Sequence, residues 1–280
     1  MDKTQEMNAT TPSPRGGQGE GALYLDSLVI GYPGHKVAGP LNATLHAGEL
    51  CCLLGANGAG KSTLLRTLAA FQPSLSGQIF LEGKLLADIS PRQLSTQIGI
   101  VLTDRIRTAG TTVRDMVAMG RSPYTNFWGR LTDEDYRHVD EAIRQVGIEA
   151  LVDRQLATLS DGERQKVMIA KALAQQTPII LLDEPTAFLD FPSKVETMLL
   201  LSRLAHDMGK CIFLSTHDLD MALQTADRLW LMGKDEGATA EGGSFAVGTP
   251  RDLADVLPKY FPSQYLSFDA QALRFSIRVS

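Results

Sequence analysis

An α/β fold with a largely parallel sheet is predicted for this chain of 280 residues on three observations. After an opening stretch, short apolar runs typical of buried strands alternate with segments of helical spacing, which is the pattern of a parallel sheet. One of these runs ends in a glycine-rich loop that leads directly into a helical segment, at residues 55–62. Residues 113–157 are helical in character, which indicates a helical insertion into the sheet domain.

The individual elements follow from their apolar patterns. "ALYLDSLVIGY" alternates as a strand does, and "GPLNATLHAGE" indicates a second strand and a turn. "ELCCLLG", "QIGIVL", "TPIILLDEP", "KCIFLST" and "DRLWLM" are short apolar runs that predict buried strands. "KSTLLRTLAAF", "TVRDMVAMGR", "DEDYRHVDEAIRQVGIEALV" and "KVETMLLLSRLAHDM" have helical spacing. The tail, "FDAQALRFSIRVS", is predicted to add an edge strand.

Composition narrows the class of protein. Hydrophobic residues make up 44% and charged residues 21% of the chain, as in globular proteins with a sizeable core. The formal net charge of -5 argues against a nucleic-acid partner. Cys51, Cys52 and Cys211 lie in apolar runs without a CxxC pair, so we expect small core residues in a reducing compartment. No apolar stretch approaches the roughly 20 residues that cross a bilayer, so we expect a cytoplasmic chain.

The segment "GANGAGKST" matches the phosphate-loop pattern G-x-x-x-x-G-K-[ST] between a predicted strand and a predicted helix. Glycines let the backbone wrap closely around phosphate, and the amides of the loop and of the helix start then face the anion. Lys61 adds a positive charge at the outer phosphates, and the Ser62 hydroxyl can bind Mg²⁺. A simple glycine-rich turn is the alternative, but it does not require this strand–loop–helix context.

Two acids and a histidine follow neighbouring predicted strands. Asp183 can help to hold Mg²⁺, and Glu184 can orient or deprotonate a water that attacks the γ-phosphate. His217 follows the next strand, and we expect it at the same sheet edge, where ligands gather in parallel sheets. The alternatives are a solvated strand end for the acids and an ordinary surface role for the histidine.

The segment "SDGE", residues 160–163, has the pattern of a capping box. Ser160 can cap a helix while Glu163 reaches back to the Ser160 amide. A capped helix start is also an anion site. Local chemistry therefore allows a plain helix cap, half of a nucleotide site completed by a second polypeptide, or both.

In order along the chain, "GANGAGKST", "LSDGE", "LLDEPTAFLD" and "STHD" resemble the motifs of ABC transporter ATP-binding subunits. The resemblance implies an α/β P-loop NTPase with a mainly parallel sheet core, an N-terminal antiparallel β subdomain and an inserted α-helical subdomain. It implies that residues 22–280 form one ATPase domain, with the helical subdomain at about residues 104–160. Residues 1–21, rich in Gly, Pro, Ser and Thr, are expected to be a disordered leader.

The resemblance also implies a role for each matching position. Glu184 and His217 would be catalytic, Ser62 and Asp183 would bind Mg²⁺, and Asp190 would link two ATP sites across a dimer. The residues expected to bind ATP within one chain are Tyr32, Gly55, Asn57, Gly58, Ala59, Gly60, Lys61, Ser62 and Thr63. The residues expected to contact ATP bound by the opposite subunit are Ser160, Asp161, Gly162 and Glu163.

Each chain has one phosphate loop and one "LSDGE" segment, which matches the signature motif of the family. This implies a head-to-tail homodimer that shares two ATP molecules. The segment "GYPGH" is also compatible with an ordinary turn. Tyr32 is therefore expected either to stack on adenine or to be a turn residue without that role.

Two segments depart from the family pattern. The usual signature is LSGGQ, and Asp161 and Glu163 place acids near a polyanion, which weakens the contact unless Asp161 points into solvent. The family usually has a glutamine after "IGIVL", where this chain has Thr103 followed by Asp104. The hypothesis is that Asp104, acting through a water, couples nucleotide to the partner subunit.

The pattern "GRSPY…GRLT" resembles importers of iron–siderophore complexes, haem and cobalamin. This implies two integral-membrane permease subunits, a substrate-binding protein acting indirectly, and a peripheral position at the cytoplasmic face of the inner (plasma) membrane. Tyr124, Phe127 and Trp128 are expected either to rim a groove for the permease or to pack within the helical subdomain. A soluble ABC ATPase and a nucleotide sensor without transport are the alternative functions.

Overall fold

The computed structural model describes residues 22–102, 110–125, 128–233 and 245–277. Its strands are β1 (Leu23–Tyr32), β2 (His35–Leu45), β3 (Leu50–Gly55), β4 (Ser76–Leu81), β5 (Lys84–Leu85), β6 (Ile98–Val101), β7 (Ile179–Asp183), β8 (Cys211–Ser215), β9 (Arg228–Met232), β10 (Phe245–Gly248), β11 (Leu266–Asp269) and β12 (Arg274–Ile277). Its α-helices are α1 (Lys61–Leu68), α2 (Pro91–Leu94), α3 (Val113–Ala118), α4 (Asp133–Val146), α5 (Asp161–Ala174), α6 (Phe191–His206), α7 (Leu219–Thr225) and α8 (Leu257–Tyr260). Within the described ranges, no helix combines the length and the apolar character that crossing a membrane requires.

A six-stranded sheet in the order β10–β9–β3–β8–β7–β6 forms the centre of the molecule. Neighbouring strands from β9 to β6 run parallel, and β10 pairs antiparallel with β9. The predicted α/β fold with a mainly parallel sheet is therefore confirmed. The carboxyl ends of β3, β8 and β7 lie side by side at one edge of this sheet.

Both faces of the central sheet are buried. In β3, Leu50, Cys52 and Leu54 face one hydrophobic core, while Cys51 and Leu53 face the other. The same alternation runs through β7, β8 and β9. Because each face of the sheet packs against other elements, the side chains on both faces are apolar. These strands are therefore continuous apolar runs in the sequence.

The three cysteines are buried and carry free thiols. Burial raises the pKa of Cys51 and Cys52 well above the usual range and that of Cys211 to about 12. They are core residues, as predicted.

An antiparallel sheet in the order β2–β1–β4–β5 covers the second core, which is the one that contains Cys51 and Leu53. The β4–β5 hairpin is absent from the sequence predictions. Its signal is the two-residue turn of Glu82 and Gly83, which both have positive φ (47° and 75°) between the paired Leu81 and Lys84. Such a turn is typical of a tight hairpin.

The described elements between β6 and α5 are helical: α3, α4 and three 3₁₀ segments, Met119–Tyr124, Glu149–Leu151 and Leu156–Thr158. Both α3 and α4 pack against α5. Residue 104, the expected start of the helical subdomain, lies outside the described residues, as does the expected leader at residues 1–21.

A buried ion pair stabilises the packing of the helices between β6 and α5, called the helical layer below, against α5. Arg121 donates from Nε to Asp135 Oδ1 at 2.9 Å and from Nη1 to the carbonyl of Ala174, the last residue of α5, at 2.8 Å. Asp135 Oδ2 also accepts hydrogen bonds from the amide and the hydroxyl of Thr132, the residue that caps α4. The segment that contains "GRSPY" is thereby joined to both α4 and α5.

The C-terminal tail forms a separate hairpin of β11 and β12, so the prediction of an edge strand on the main sheet is wrong. The ring centroids of Phe268 and Phe275 are 4.7 Å apart. Both rings pack against the first core, which is the one that contains Leu50 and Cys52. The turn at residues 270–273 divides the tail into two short apolar halves, which pair with each other.

Candidate active site

Three strand ends assemble the candidate site. β3 leads into the phosphate loop, β7 ends at Asp183 and Glu184, and β8 ends at Ser215, two residues before His217. In the parallel register, Ser215 lies opposite both Leu53 and Asp183. This register brings the loop, the two acids and the histidine to one edge of the sheet, as the sequence predicts.

The phosphate loop depends on glycine at two close approaches. A Cβ at Gly55 would collide with the carbonyl oxygen of Met232, and one at Gly60 would lie 2.5 Å from Val37 Cγ1. Gly60 also has a φ of 101° and caps α1 without any side-chain hydrogen bond. The first amides of α1 have no acceptor within the helix and can bind an anion.

The other predicted loop residues surround this helix start. Asn57 and Gly58 are exposed at the bend, whereas Ala59 and Thr63 are buried beneath it. Gly58 and Gly60 have no side chain to cover the backbone of the loop. This arrangement suits a phosphate group bound through N–H donors.

Lys61 lies inside the loop with only 6% of its surface exposed. Its Nζ donates to the carbonyl of Gly55 at 2.8 Å. Burial lowers the pKa of Lys61 below its usual value, and the carboxylates of Glu184 and Asp183 partly oppose this effect. A buried ammonium held by a single short contact is ready to accept anionic oxygens in its place.

A cluster of oxygen atoms surrounds Asp183. Its Oδ1 accepts hydrogen bonds from Ser62 Oγ at 3.3 Å and from Ser215 Oγ at 2.7 Å. The Ser215 hydroxyl in turn accepts from the Glu184 amide at 2.9 Å. Carboxylate and hydroxyl oxygens are the donors that Mg²⁺ prefers, so the residues present fit this ion. The sequence predictions assign no role to Ser215, although its pairing opposite Asp183 follows once the strand register is known.

Glu184 and His217 contact each other directly, from Oε1 to Nε2. Glu184 adopts a φ of 49°, which is uncommon outside glycine and is concentrated at functional sites. Both residues line a cavity of about 230 Å³ whose wall includes Thr186, Lys194 and Asp218. Lys194 and Asp218 form an ion pair of 2.7 Å, and the sequence predictions include neither residue.

The predicted capping box at "SDGE" is confirmed. Ser160 Oγ accepts from the Glu163 amide at 3.2 Å, and Glu163 Oε2 accepts from the Ser160 amide at 2.8 Å. Asp161 pairs with Arg164 at 2.8 Å, and Glu163 pairs with Arg154 at 3.3 Å. Hydrogen bonds from Ser160 lower the pKa of Glu163. Each acid of this segment therefore has an arginine beside it, which reduces its repulsion of an anion.

Gly162 brings the start of α5 close to the start of α6. A Cβ at Gly162 would lie 2.9 Å from Ser193 Oγ. Asp190 caps α6, with its Oδ1 accepting from the Ser193 amide at 3.1 Å, and this bonding lowers the pKa of Asp190. Asp190 is exposed, so the segment predicted to link two ATP sites lies on the surface.

The geometry thus combines a phosphate loop, a carboxylate cluster and an acid–histidine pair at one sheet edge. Residues 38–187 match the family model of the ABC transporter. The chain belongs to the ABC transporter family. ATP-binding subunits of this family hydrolyse ATP and couple hydrolysis to transport.

Relatives from other organisms share most of the chain. An ABC transporter ATP-binding protein of Methanocaldococcus jannaschii is 42% identical over 75% of this chain and 72% of its own length. The iron(3+)-hydroxamate import ATP-binding protein FhuC of Bacillus subtilis is 35% identical over 84% of this chain and 87% of its own. Among solved structures, an inward-facing ABC transporter of the metal-chelate type aligns with a TM-score of 0.75 at 27% identity, covering 91% of this chain and 95% of that one.

Within this ABC subunit, Tyr32 lies at the tip of the β1–β2 hairpin. It is 47% exposed and pairs with His35 across the turn. Val37, further along β2, borders Gly60 of the phosphate loop. The hairpin therefore places an exposed ring on the strand pair that flanks the loop.

The remaining predicted residues of the ABC subunit fall in the helical layer or outside the described chain. The Tyr124 hydroxyl donates to the Gln175 carbonyl at 2.9 Å, and Arg121 lies over its ring at 3.9 Å. Tyr124 thus packs within the helical layer, while Trp128 is 78% exposed. The residues that lie outside the described ranges are Thr103, Asp104 and Phe127.

Proposed function

We propose that the chain is the ATP-binding and hydrolysing subunit of an ABC importer for a metal chelate, namely an iron–siderophore complex, haem or cobalamin. The observation that carries the ATPase part is the oxygen cluster of Ser62, Asp183 and Ser215 beside Lys61 and the Glu184–His217 pair. The FhuC relative of Bacillus subtilis and the metal-chelate transporter structure support the cargo class. They favour an importer over a soluble ABC ATPase or a nucleotide sensor.

ATP binding in one chain uses the phosphate loop. The backbone amides at residues 58–63 would bind the phosphates, and Lys61 would exchange its contact with Gly55 for the outer phosphate oxygens. Tyr32 would stack on adenine from the adjacent hairpin. Ser62 and Asp183 would hold Mg²⁺, which when bound neutralises charge on the phosphate oxygens.

Separating the Glu184–His217 contact would favour hydrolysis. While Glu184 Oε1 is bound to His217, this oxygen is a weaker proton acceptor for water. With ATP in place, His217 would turn toward the γ-phosphate, and Glu184 would orient the attacking water and accept its proton. Ser215 holds the Glu184 backbone and the Asp183 carboxylate at fixed positions for this step.

A second copy of the chain would complete each site. α1 packs against β1, β3 and β7, whereas α5 packs mainly against α3 and α4 and also contacts β6 and α6. The phosphate loop and the Ser160–Glu163 segment therefore precede helices with different neighbours. ATP-binding subunits of ABC importers dimerise. In a head-to-tail pair, the Ser160 cap and Gly162 would meet the γ-phosphate bound by the other copy, with Asp161 and Glu163 held back by their arginines. Asp190 would connect the two sites.

ATP-binding subunits of ABC importers also work with membrane permease components. We place this chain peripherally at the cytoplasmic face of the inner (plasma) membrane, on two permease subunits that a substrate-binding protein supplies. The exposed Trp128 and its sequence neighbour Phe127 would contact the permease, whereas Tyr124 would support them from within the helical layer. Thr103 and Asp104 would transmit the nucleotide state to it, and an Asp104→Ala variant with unchanged basal and permease-stimulated rates would contradict that role.

The test is the dependence of ATP turnover on protein concentration. We expect the rate per chain to rise with concentration, because two chains form each site. Glu184→Gln should retain ATP binding and lose turnover by about 10²-fold or more. Ser160→Ala should lower turnover, while ATP binding by the monomer remains. A rate per chain that is independent of concentration and of Ser160 would refute the shared site.

The cargo is tested separately by growth. A strain that lacks this chain should fail to grow when its only iron or corrinoid source is the transported chelate, and the full-length chain should restore growth. Glu184→Gln should not restore it. Normal growth of the deletion strain on every siderophore, haem and cobalamin source, with ATP turnover intact, would favour the soluble ATPase.

A further inference from the structure

An ion pair that is not part of the phosphate-binding machinery forms one wall of the candidate active site. Lys194 of α6 donates to Asp218 Oδ2 at 2.7 Å, and both residues line the cavity that contains Glu184 and His217. The two side chains are partly buried, at 29% and 36% exposure. Asp218 directly follows His217, so the pair lies one residue from a proposed catalytic side chain.

Asp218 occupies a helix cap position without acting as a cap. Five described helices, α2 to α6, begin with a Ser, Thr or Asp whose side chain accepts a hydrogen bond from the first turn. Asp218 begins α7 and makes no such bond. Its carboxylate is directed to Lys194 instead. Aspartate is among the best capping residues, so this departure indicates that the ion pair takes precedence.

The turn that carries His217 is held on both sides. Before it, Thr216 is buried, and its amide donates to the carbonyl of Leu53 at 3.2 Å. After it, the Asp218 amide donates to Thr216 Oγ1 at 3.1 Å, and the Asp218 carboxylate is bound by Lys194. Lys194 is therefore the contact through which α6 holds this turn.

The first turn of α6 also contacts the signature segment. Asp190 caps the helix through the Ser193 amide, Gly162 packs on Ser193, and the Lys194 amide donates to the Asp190 carbonyl at 2.9 Å. Gly162, Asp190 and Lys194 thus converge on a single helical turn. A displacement at the signature or at Asp190 would move Lys194 and, with it, the His217 turn.

We propose that Lys194 is a positioning residue that holds His217 through Asp218 and transmits the state of the signature segment to it. The inference rests on the proposed function, because it assumes that ATP is bound across two chains at these segments. ATP bound at Ser160 and Gly162 of one chain would thereby set the His217 geometry at the other ATP site of that same chain.

The chain offers a matched control. Lys166 of α5 pairs with Glu196 of α6, also at 2.7 Å and with 28% of the lysine side chain exposed, but away from the cavity residues. Lys194→Gln and Lys166→Gln therefore each remove a lysine ion pair of 2.7 Å that involves α6, with Glu196 more exposed (61%) than Asp218 (36%). Lys194→Arg keeps the charge and should restore the contact with Asp218. Thermal unfolding of all three variants confirms that each is folded.

The first measurement requires no turnover. In the full-length chain, NMR of the histidine rings resolves five imidazole signals, and His217→Gln identifies that of His217. We expect Lys194→Gln to shift or broaden the His217 signal, Lys194→Arg to restore it, and Lys166→Gln to leave it unchanged. A His217 signal that is the same in Lys194→Gln as in the wild type would overturn the proposal, whatever the protein's enzymatic activity.

The second measurement is ATP turnover as a function of ATP concentration. We expect Lys194→Gln to lower kcat about tenfold with KM changed less than about twofold, and to reduce the Hill coefficient toward one. Lys166→Gln should retain the wild-type values. A wild type that turns over without concentration dependence would refute the proposed function. A concentration-dependent wild type with an unaltered Lys194→Gln would refute only the positioning role.

Discussion

Ser215→Ala is the variant that tests most directly how the acids of the site are held. The side chain is fully buried, donates to Asp183 at 2.7 Å and accepts from the Glu184 amide at 2.9 Å. A hydrogen bond to a charged group contributes roughly 1.5–3 kcal/mol and a neutral one roughly 0.5–1.5 kcal/mol. Because alanine leaves almost no cavity, the loss should be the sum of these two contributions, about 2–4.5 kcal/mol.

The assay is urea and thermal unfolding of the full-length chain, with ATP turnover measured in parallel. For a domain of this size, we expect Tm to fall by roughly 4–18 °C. Turnover should fall as well, because Asp183 and Glu184 lose their common anchor. Ser276→Ala is the control, since its hydroxyl shares a 2.7 Å hydrogen bond with Ser267 on the exposed tail hairpin. If Ser215→Ala were as stable as this control, the anchoring role would be wrong.

Three further variants or treatments test the rest of the structure. Arg121→Met should cost about 3–5 kcal/mol at neutral pH, because it leaves the Asp135 carboxylate buried without its partner. Burial raises the pKa of Asp135, but hydrogen bonds from Thr132 and Arg121 outweigh this and lower it. The stability that the Arg121–Asp135 pair contributes is present above the usual carboxyl pKa of about 3.9 and is lost as the pH falls through the lowered pKa of Asp135. We therefore expect the urea midpoints of the wild type and of Arg121→Met to converge as the pH is lowered. Gly60→Ala should abolish ATP binding measured by calorimetry, since its Cβ would lie 2.5 Å from Val37 at a φ of 101°, and retained affinity would contradict the loop geometry. Native protein should resist alkylation at pH 8, as the Cys211 pKa of about 12 and its burial imply, and labelling should appear only in urea.

The prediction of the fold succeeded for the long apolar strands and the helices, and it failed for two short hairpins. The strand that ends at Gly55 and the helix that begins at Lys61 are adjacent in sequence, and their composition identifies both. The β4–β5 hairpin was missed although its turn at residues 82–83 carries a tight-turn signal. The tail was assigned to the wrong sheet because apolar alternation reveals a strand and not its partner.

The candidate site divides in the same way. Chemistry by residue type identified Lys61, Asp183, Glu184 and His217, and the structure brings these four to one sheet edge. It did not identify Ser215, because serine is common at strand ends and only the register shows that it lies opposite Asp183. The capping box at residues 160–163 was predictable, since both of its partners lie within one helical turn.

By itself, the sequence determined the elements that a local pattern identifies: the strand–loop–helix of the phosphate loop, the capped helix after Ser160, and the existence of the buried strands. Tertiary structure decided which distant residues meet, such as Ser215 with Asp183 and Lys194 with Asp218, which are 32 and 24 positions apart. The physical reason is that local hydrogen bonds and apolar periodicity are set within a few residues. Contacts between strand ends and helices depend instead on the register and packing of the whole sheet.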